Sequence, residues 1–213
     1  MPNEFIGLAE DCGLILQLGQ LVMEDACEQL QRWSKSTDLR DITLAVNVSA
    51  RQFVQASFVE QVLEIIARFH ISPRQLKLEL TEGLLLENIE LVIDKMSLLR
   101  SKGVLFALDD FGTGYSSLSY LKLLPLDQLK IDRSFINNVL TDSNDAAIAK
   151  MVVALGRSLG LDVIAEGVET AEQRDFLVNN HCYLFQGYLY SRPIPARQFE
   201  DFYLSSIRSN IQQ

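Results

Sequence analysis

The stretch Val104-Leu105-Phe106-Ala107-Leu108-Asp109-Asp110-Phe111-Gly112-Thr113-Gly114 decides the fold. Its first five residues are all apolar, which reads as a strand buried on both faces, as a parallel sheet requires. Two carboxylates stand just past the strand's C-terminal end. Gly112 and Gly114 then mark a tight turn that lets backbone approach a ligand. An ordinary strand-to-loop turn explains the glycines but not the paired acids. Asp110-Phe111-Gly112 alone also matches the kinase metal-binding tripeptide. No Gly-rich loop and no His-Arg-Asp loop precedes it, which excludes that reading.

Five further runs of the same type lie at residues 42–46, 76–80, 128–131, 162–165 and 183–185. Helical patterns separate them. Ser57 with Glu60 reads as a capping box ahead of Val62, Leu63, Ile66 and Phe69, and Thr170 with Gln173 as another ahead of Phe176 and Leu177. Asn88 is the expected N-cap for Val92, Met96 and Leu99, with Gly103 ending that unit. Ser143 is expected to cap the helix of Ile148, Met151, Val152, Leu155 and Leu159, which Gly160 terminates. The chain opens directly into a helix at residues 5–10, and a second helix carries Ile15, Leu18, Val22, Ala26, Leu30 and Trp33. A last one carries Phe199, Phe202, Tyr203 and Ile207.

Repeated strand–helix units imply an α/β fold with a parallel sheet, either a barrel or a doubly wound sheet. A polar residue ends almost every strand: Asn47, Glu79, Asp109 with Asp110, Lys130, Glu166 and Gln186. In a barrel those ends converge on one mouth, whereas an open sheet spreads them along an edge. The barrel is therefore favoured, although six strands are counted where a (β/α)8 barrel has eight.

The 213 residues suit one domain, and 48% apolar with 22% charged residues is ordinary for a globular chain. Nineteen basic against 28 acidic residues give a net charge of −9, the wrong sign for non-specific nucleic-acid binding. Cys12, Cys27 and Cys182 form no CxxC pair, which points to a reducing compartment, most simply the cytoplasm. His70 and His181 alone give zinc sites or a Ser-His-Asp triad little to draw on. No apolar run approaches a membrane span of about 18 residues, and the N-terminus does not read as a signal peptide.

Glu79, Asp109, Asp110 and Glu166, with Asn47 and Gln186 as neutral oxygen donors, form a hard ligand set suited to Mg2+, Mn2+ or Ca2+ rather than zinc. Adjacent Asp109 and Asp110 resist joint ionisation unless cations offset the repulsion. A two-metal centre offsets it, and Lys130 would orient water or neutralise charge at phosphorus. Each acid taken singly reads equally well as solvating a strand end or capping a helix. All of them on consecutive strand ends do not.

The motifs Asn47-Val48-Ser49, Glu79-Leu80-Thr81-Glu82, the segment 109–114, Leu129-Lys130-Ile131-Asp132, Ala165-Glu166-Gly167-Val168-Glu169 and Gln186-Gly187-Tyr188, the last followed by Ser191-Arg192-Pro193, run in order along nearly the whole chain. In this the sequence resembles the EAL domain family of bacterial cyclic-di-GMP phosphodiesterases. The resemblance implies a modified TIM barrel that opens the cyclic dinucleotide to linear pGpG with Mg2+ or Mn2+. It implies Asn47, Glu79, Asp109, Asp110 and Glu166 as metal ligands, with Asp109 shared between two ions. Lys130 would sit beside the hydrolytic water, Gln186 would support it, and Glu82 would tether the loop after Asp110, which serves metal binding and dimerisation in the family.

Family members begin with two further strands, the second carrying a Glu-Ala-Leu triplet whose Glu is a metal ligand and which an Arg follows. This sequence contains no such triplet. The expectation is an incomplete barrel of about six parallel strands, with a weakened metal site and poor or absent hydrolysis. Unpaired sheet edges predict self-association, as a homodimer or otherwise. A non-catalytic cyclic-di-GMP receptor and a protein-interaction domain are the alternatives.

Overall fold

A computed structural model describes residues 2–86, 89–114 and 118–211. In chain order the helices and strands are α1 (Pro2–Asp11), α2 (Ile15–Trp33), β1 (Leu44–Val48), α3 (Ala50–Phe53), α4 (Phe58–Phe69), β2 (Leu76–Thr81), α5 (Ile89–Ser101) and β3 (Leu105–Phe111). They continue as α6 (Leu118–Leu121), β4 (Gln128–Ile131), α7 (Arg133–Asn137), α8 (Ser143–Leu159), β5 (Asp162–Glu166), α9 (Ala171–Asn179), β6 (Leu184–Gln186) and α10 (Ala196–Ile211). All six strands lie parallel in one sheet in sequence order, curled into an incomplete barrel that ends at β1 and β6.

The strands are not apolar on both faces as their composition implies. Val46, Val48, Leu76, Leu78, Leu80, Phe106, Leu108, Leu129, Ile131, Val163 and Ala165 are buried and point one way, into the helices. Against them pack Met23 and Leu30 of α2, Val62 and Ile66 of α4, Met96 and Leu99 of α5, and Val152 and Val153 of α8. This helix-facing layer is the core. The alternate residues share the inner face of the curl, and there the register lines up polar groups: Asn47 beside Glu79, Thr81 beside Asp109, Glu166 beside Gln186. Ala107 is flanked by Glu79 and Gln128 in that register. Its small side chain lets longer ones meet across β3, as Lys77 Nζ does in donating to Gln128 Oε1 at 2.9 Å.

The expected helices form, but their expected caps hold only in part. Thr170 and Gln173 form the expected capping box, and Gly160 ends α8 in the left-handed conformation at φ 70°. Ser57 makes no side-chain cap bond to α4. Asp142, not Ser143, caps α8, its carboxylate accepting from the amides of Asn144 and Asp145, because a charged acceptor matches the helix N-terminus better than a hydroxyl. The expected cap Asn88 lies outside the described residues. Val22 is exposed, and α2 turns Met23 and Cys27 inward instead, whereas Phe202 on α10 stays largely in solvent. The two histidines both adopt positive φ, His70 capping α4 and His181 leading into β6.

The open side of the curl is bridged by helices. Trp33 of α2 meets Phe199 of α10 at 5.6 Å between ring centroids, and Glu200 accepts from Trp33 Nε1 at 2.7 Å and Gln29 Nε2 at 3.1 Å.

Candidate active site

Four strand ends supply the charged cluster. Lys130, on β4 and 3% exposed, directs its ammonium to Glu79 Oε2 at 2.7 Å, Glu166 Oε1 at 2.8 Å and Asp109 Oδ2 at 3.0 Å. Strands β2, β3 and β5 thus each contribute one carboxylate to a common point. Burial opposes the charge on Lys130, but Glu79, Glu166 and Asp109 more than reverse that, and its pKa is raised. The Glu166 carboxyl is also raised, by burial foremost, with its bond to Lys130 only partly countering it.

Asp110 departs from this centre. The β3–β4 register breaks between Leu108 and Phe111, and Asp110 takes φ 55°, a left-handed geometry that Asp tolerates better than most residues. Asp109 therefore stays on the inner face, its Oδ1 accepting from the Asp110 amide at 3.0 Å. The Asp110 carboxyl pairs with Asp132 instead. Burial and the charges of Asp109 and Asp132 push Asp110 up. Burial acts on Asp132 in the same direction, but hydrogen bonds from Ser134 and Asp110 pull it down overall. In the sequence Asp132 stood only as the last residue of the motif Leu129-Lys130-Ile131-Asp132; it also caps α7, accepting from the Ser134 amide at 2.9 Å.

Glu82, buried beside β2, accepts from the amides of Gly112 at 3.1 Å and Gly114 at 3.2 Å through Oε2. The loop after Asp110 is tied down at its first turn. Asn47 and Gln186 occupy the rim: each is exposed, and each is placed by register beside Glu79 and Glu166 respectively. Gly187 fixes the second of these placements. A Cβ there would stand 2.2 Å from the Val168 carbonyl oxygen, and Val168 N donates to the Gln186 carbonyl at 3.1 Å. Beside Glu166 and Gln186 opens a cavity of about 810 Å3, walled by β6, the following segment, α10 and the Trp33 side of α2.

The donor set consists of carboxylate and amide oxygens, which is chemistry for a hard divalent cation. Among the described residues no three His, Cys, Asp or Glu side chains are gathered closely enough to hold a metal by themselves; the Lys130 ammonium stands at their focus. It engages one oxygen each of Glu79, Asp109 and Glu166. A carboxylate has about four lone-pair sites, so the set retains acceptors for a cation beside the ammonium.

The EAL domain family matches residues 1–193. The chain belongs to the EAL domain family. Among curated relatives, the bifunctional diguanylate cyclase/cyclic di-GMP phosphodiesterase MucR of Pseudomonas aeruginosa is 46% identical over 197 residues, covering 92% of this chain and 29% of that protein. The cyclic di-GMP phosphodiesterase NbdA of the same organism is 45% identical over 201 residues, covering 94% of this chain and 26% of NbdA. This EAL domain thus spans between a quarter and a third of these two relatives. The solved MucR phosphodiesterase in complex with c-di-GMP superposes with TM-score 0.90 at 45% identity, over 93% of this chain and 80% of that one. The Klebsiella pneumoniae BlrP1 manganese/c-di-GMP complex matches at TM-score 0.75 and 28% identity, over 84% of this chain and 44% of that one. No helix of the described residues is long and apolar enough to cross a membrane.

Proposed function

We propose that this EAL domain binds cyclic-di-GMP at the mouth of its incomplete barrel and hydrolyses it to linear pGpG. The observation that carries the reading is the convergence of Glu79, Asp109 and Glu166 from three strands on Lys130. Asn47, Glu79, Asp109, Asp110 and Glu166 would hold Mg2+ or Mn2+. Two such ions would supply an acidified water and charge neutralisation at phosphorus.

The chain's own residues set up the rest. Lys130 stays protonated and locks the three carboxylates in one geometry, so little reorganisation is needed when charge develops. Glu166, raised by burial, is suited to accept a proton from the attacking water, and the Gln186 amide beside it would orient that water. Glu82 keeps the loop bearing Asp110 in register through Gly112 and Gly114. Among the described residues the outer edges of β1 and β6 have no partner strand, which favours self-association. Cys12, Cys27 and Cys182 are all free, as suits a cytoplasmic setting.

Incubation with cyclic-di-GMP and Mn2+, followed by chromatography, tests the reading. Metal-dependent binding with release of linear pGpG, abolished in Asp109→Asn, is expected. Binding that survives chelation would instead mark a receptor, and absence of binding at millimolar ligand would refute both. Sedimentation at micromolar concentration should show species larger than a monomer.

A further inference from the structure

The cavity beside Glu166 is bordered by Arg133 and Arg192. Arg32, Arg40, Arg68, Arg100 and Arg174 meet carboxylates, while Arg51, Arg74, Arg157 and Arg197 show no such pair among the described residues but do not border this cavity. Among the described residues Arg133 and Arg192 meet none. Arg192 lies over the Tyr188 ring, 4.4 Å from its centroid, so its planar group is committed to stacking. Arg133 is exposed and has no such engagement.

Its position is nevertheless built. The turn after Glu166 passes through Gly167 at φ 70°, and a Cβ on Gly167 would stand 2.7 Å from Arg133 Cβ. Backbone is laid directly on the stem of Arg133, which places this side chain next to the carboxylate cluster. Asp132, immediately before it, pairs with Asp110, the residue that follows Asp109.

The substrate class poses a matching demand. A cyclic dinucleotide carries two phosphodiesters on opposite sides of its ring, and only one can lie at the carboxylate cluster. The other enters a site that is acidic overall and needs a cation of its own. Lys130 is consumed by three carboxylates. We propose that Arg133 receives the phosphodiester that is not cut, through the bidentate fork that guanidinium presents to phosphate, and so selects two-phosphate ligands over single diesters. The assignment rests on the cyclic-dinucleotide reading above.

Calorimetric titration of the full chain with cyclic-di-GMP, and separately with Mn2+ alone, tests it on wild type, Arg133→Ala, Arg133→Lys and Arg133→Glu. Arg133→Ala should weaken cyclic-di-GMP by about ten- to a hundredfold, the worth of a charge-assisted contact. Arg133→Lys should recover part of that loss, and Arg133→Glu should exceed it. Mn2+ affinity and melting temperature should not move. Equal cyclic-di-GMP affinity in wild type and Arg133→Ala overturns the assignment while leaving the functional reading intact. A parallel loss of Mn2+ affinity also overturns it, by showing a structural role. A wild type that binds Mn2+ but no cyclic-di-GMP refutes the functional reading, and the assignment with it.

Discussion

Replacing Lys130 by Met keeps the volume and removes the charge at the focus of Glu79, Asp109 and Glu166. The Lys130 side chain is 4% exposed, and those of its partners 11%, 13% and 17%, so solvent cannot take over its role. At an effective dielectric of about 20, each contact near 2.8 Å is worth about 6 kcal/mol of Coulomb attraction before desolvation is counted. Burying each ion costs several kcal/mol, and the measured net loss on breaking such a pair is about 3–5 kcal/mol. For a domain of this size, about 2–4 °C per kcal/mol gives a drop in melting temperature of about 6–20 °C. Differential scanning fluorimetry in chelator is the assay.

The pH dependence carries the sign. The Lys130 pKa is raised, so its stabilisation is fully present below its unfolded value of about 10.4 and lost only as pH climbs through the higher folded value. Wild type keeps that contribution at neutral pH. In Lys130→Met, Glu166, already raised by burial, loses the ammonium that partly countered it, and its folded pKa rises further. The variant therefore keeps its stability below the unfolded carboxylate range, about 4, and loses it as pH rises through the raised Glu166 value. The deficit should be small near about pH 4, large near about pH 8, and partly repaired by Mn2+. A variant melting within about 2 °C of wild type at about pH 8 in chelator, or with a deficit independent of pH, would refute the cluster as described.

Two further substitutions probe the supports of the site. Glu82→Ala strips the shared acceptor from the Gly112 and Gly114 amides; hydrogen exchange at both should accelerate at a cost of about 1.5–3 kcal/mol, with Glu82→Gln intermediate, and unchanged exchange would count against the tether. Gly187→Ala would drive a Cβ to 2.2 Å from the Val168 oxygen and should lower stability by about 1–3 kcal/mol in urea titration, displacing Gln186; an unaltered midpoint would show that the β5–β6 loops are not packed as described.

The identity of the strands, their order and the residues at their tips were legible because each is a local pattern. An apolar run of five residues at 104–108 followed by two acids and two glycines needs no partner to be read. Composition, however, does not say which face a residue takes. Lys77, Glu79, Gln128 and Lys130 belong to strands that looked uniformly buried, and register with β3 alone puts them on one inner face. The division of labour between Asp109 and Asp110 was equally hidden. Two adjacent acids look alike in a sequence, and the broken register with φ 55° at Asp110 separates them, one to Lys130 and one to Asp132.

The sequence by itself determined that six strands alternate with helices and that oxygen-bearing side chains end them, since periodicity and turn chemistry act over a few residues. Only the tertiary structure decided that Lys130 binds three carboxylates at once, that Trp33 and Glu200 join α2 to α10 across the open side, and that Arg133 lies against Gly167. Those contacts join residues 30 to 170 positions apart in places, and such pairs are set by the curl of the sheet and the packing of the helices around it, which no local pattern encodes.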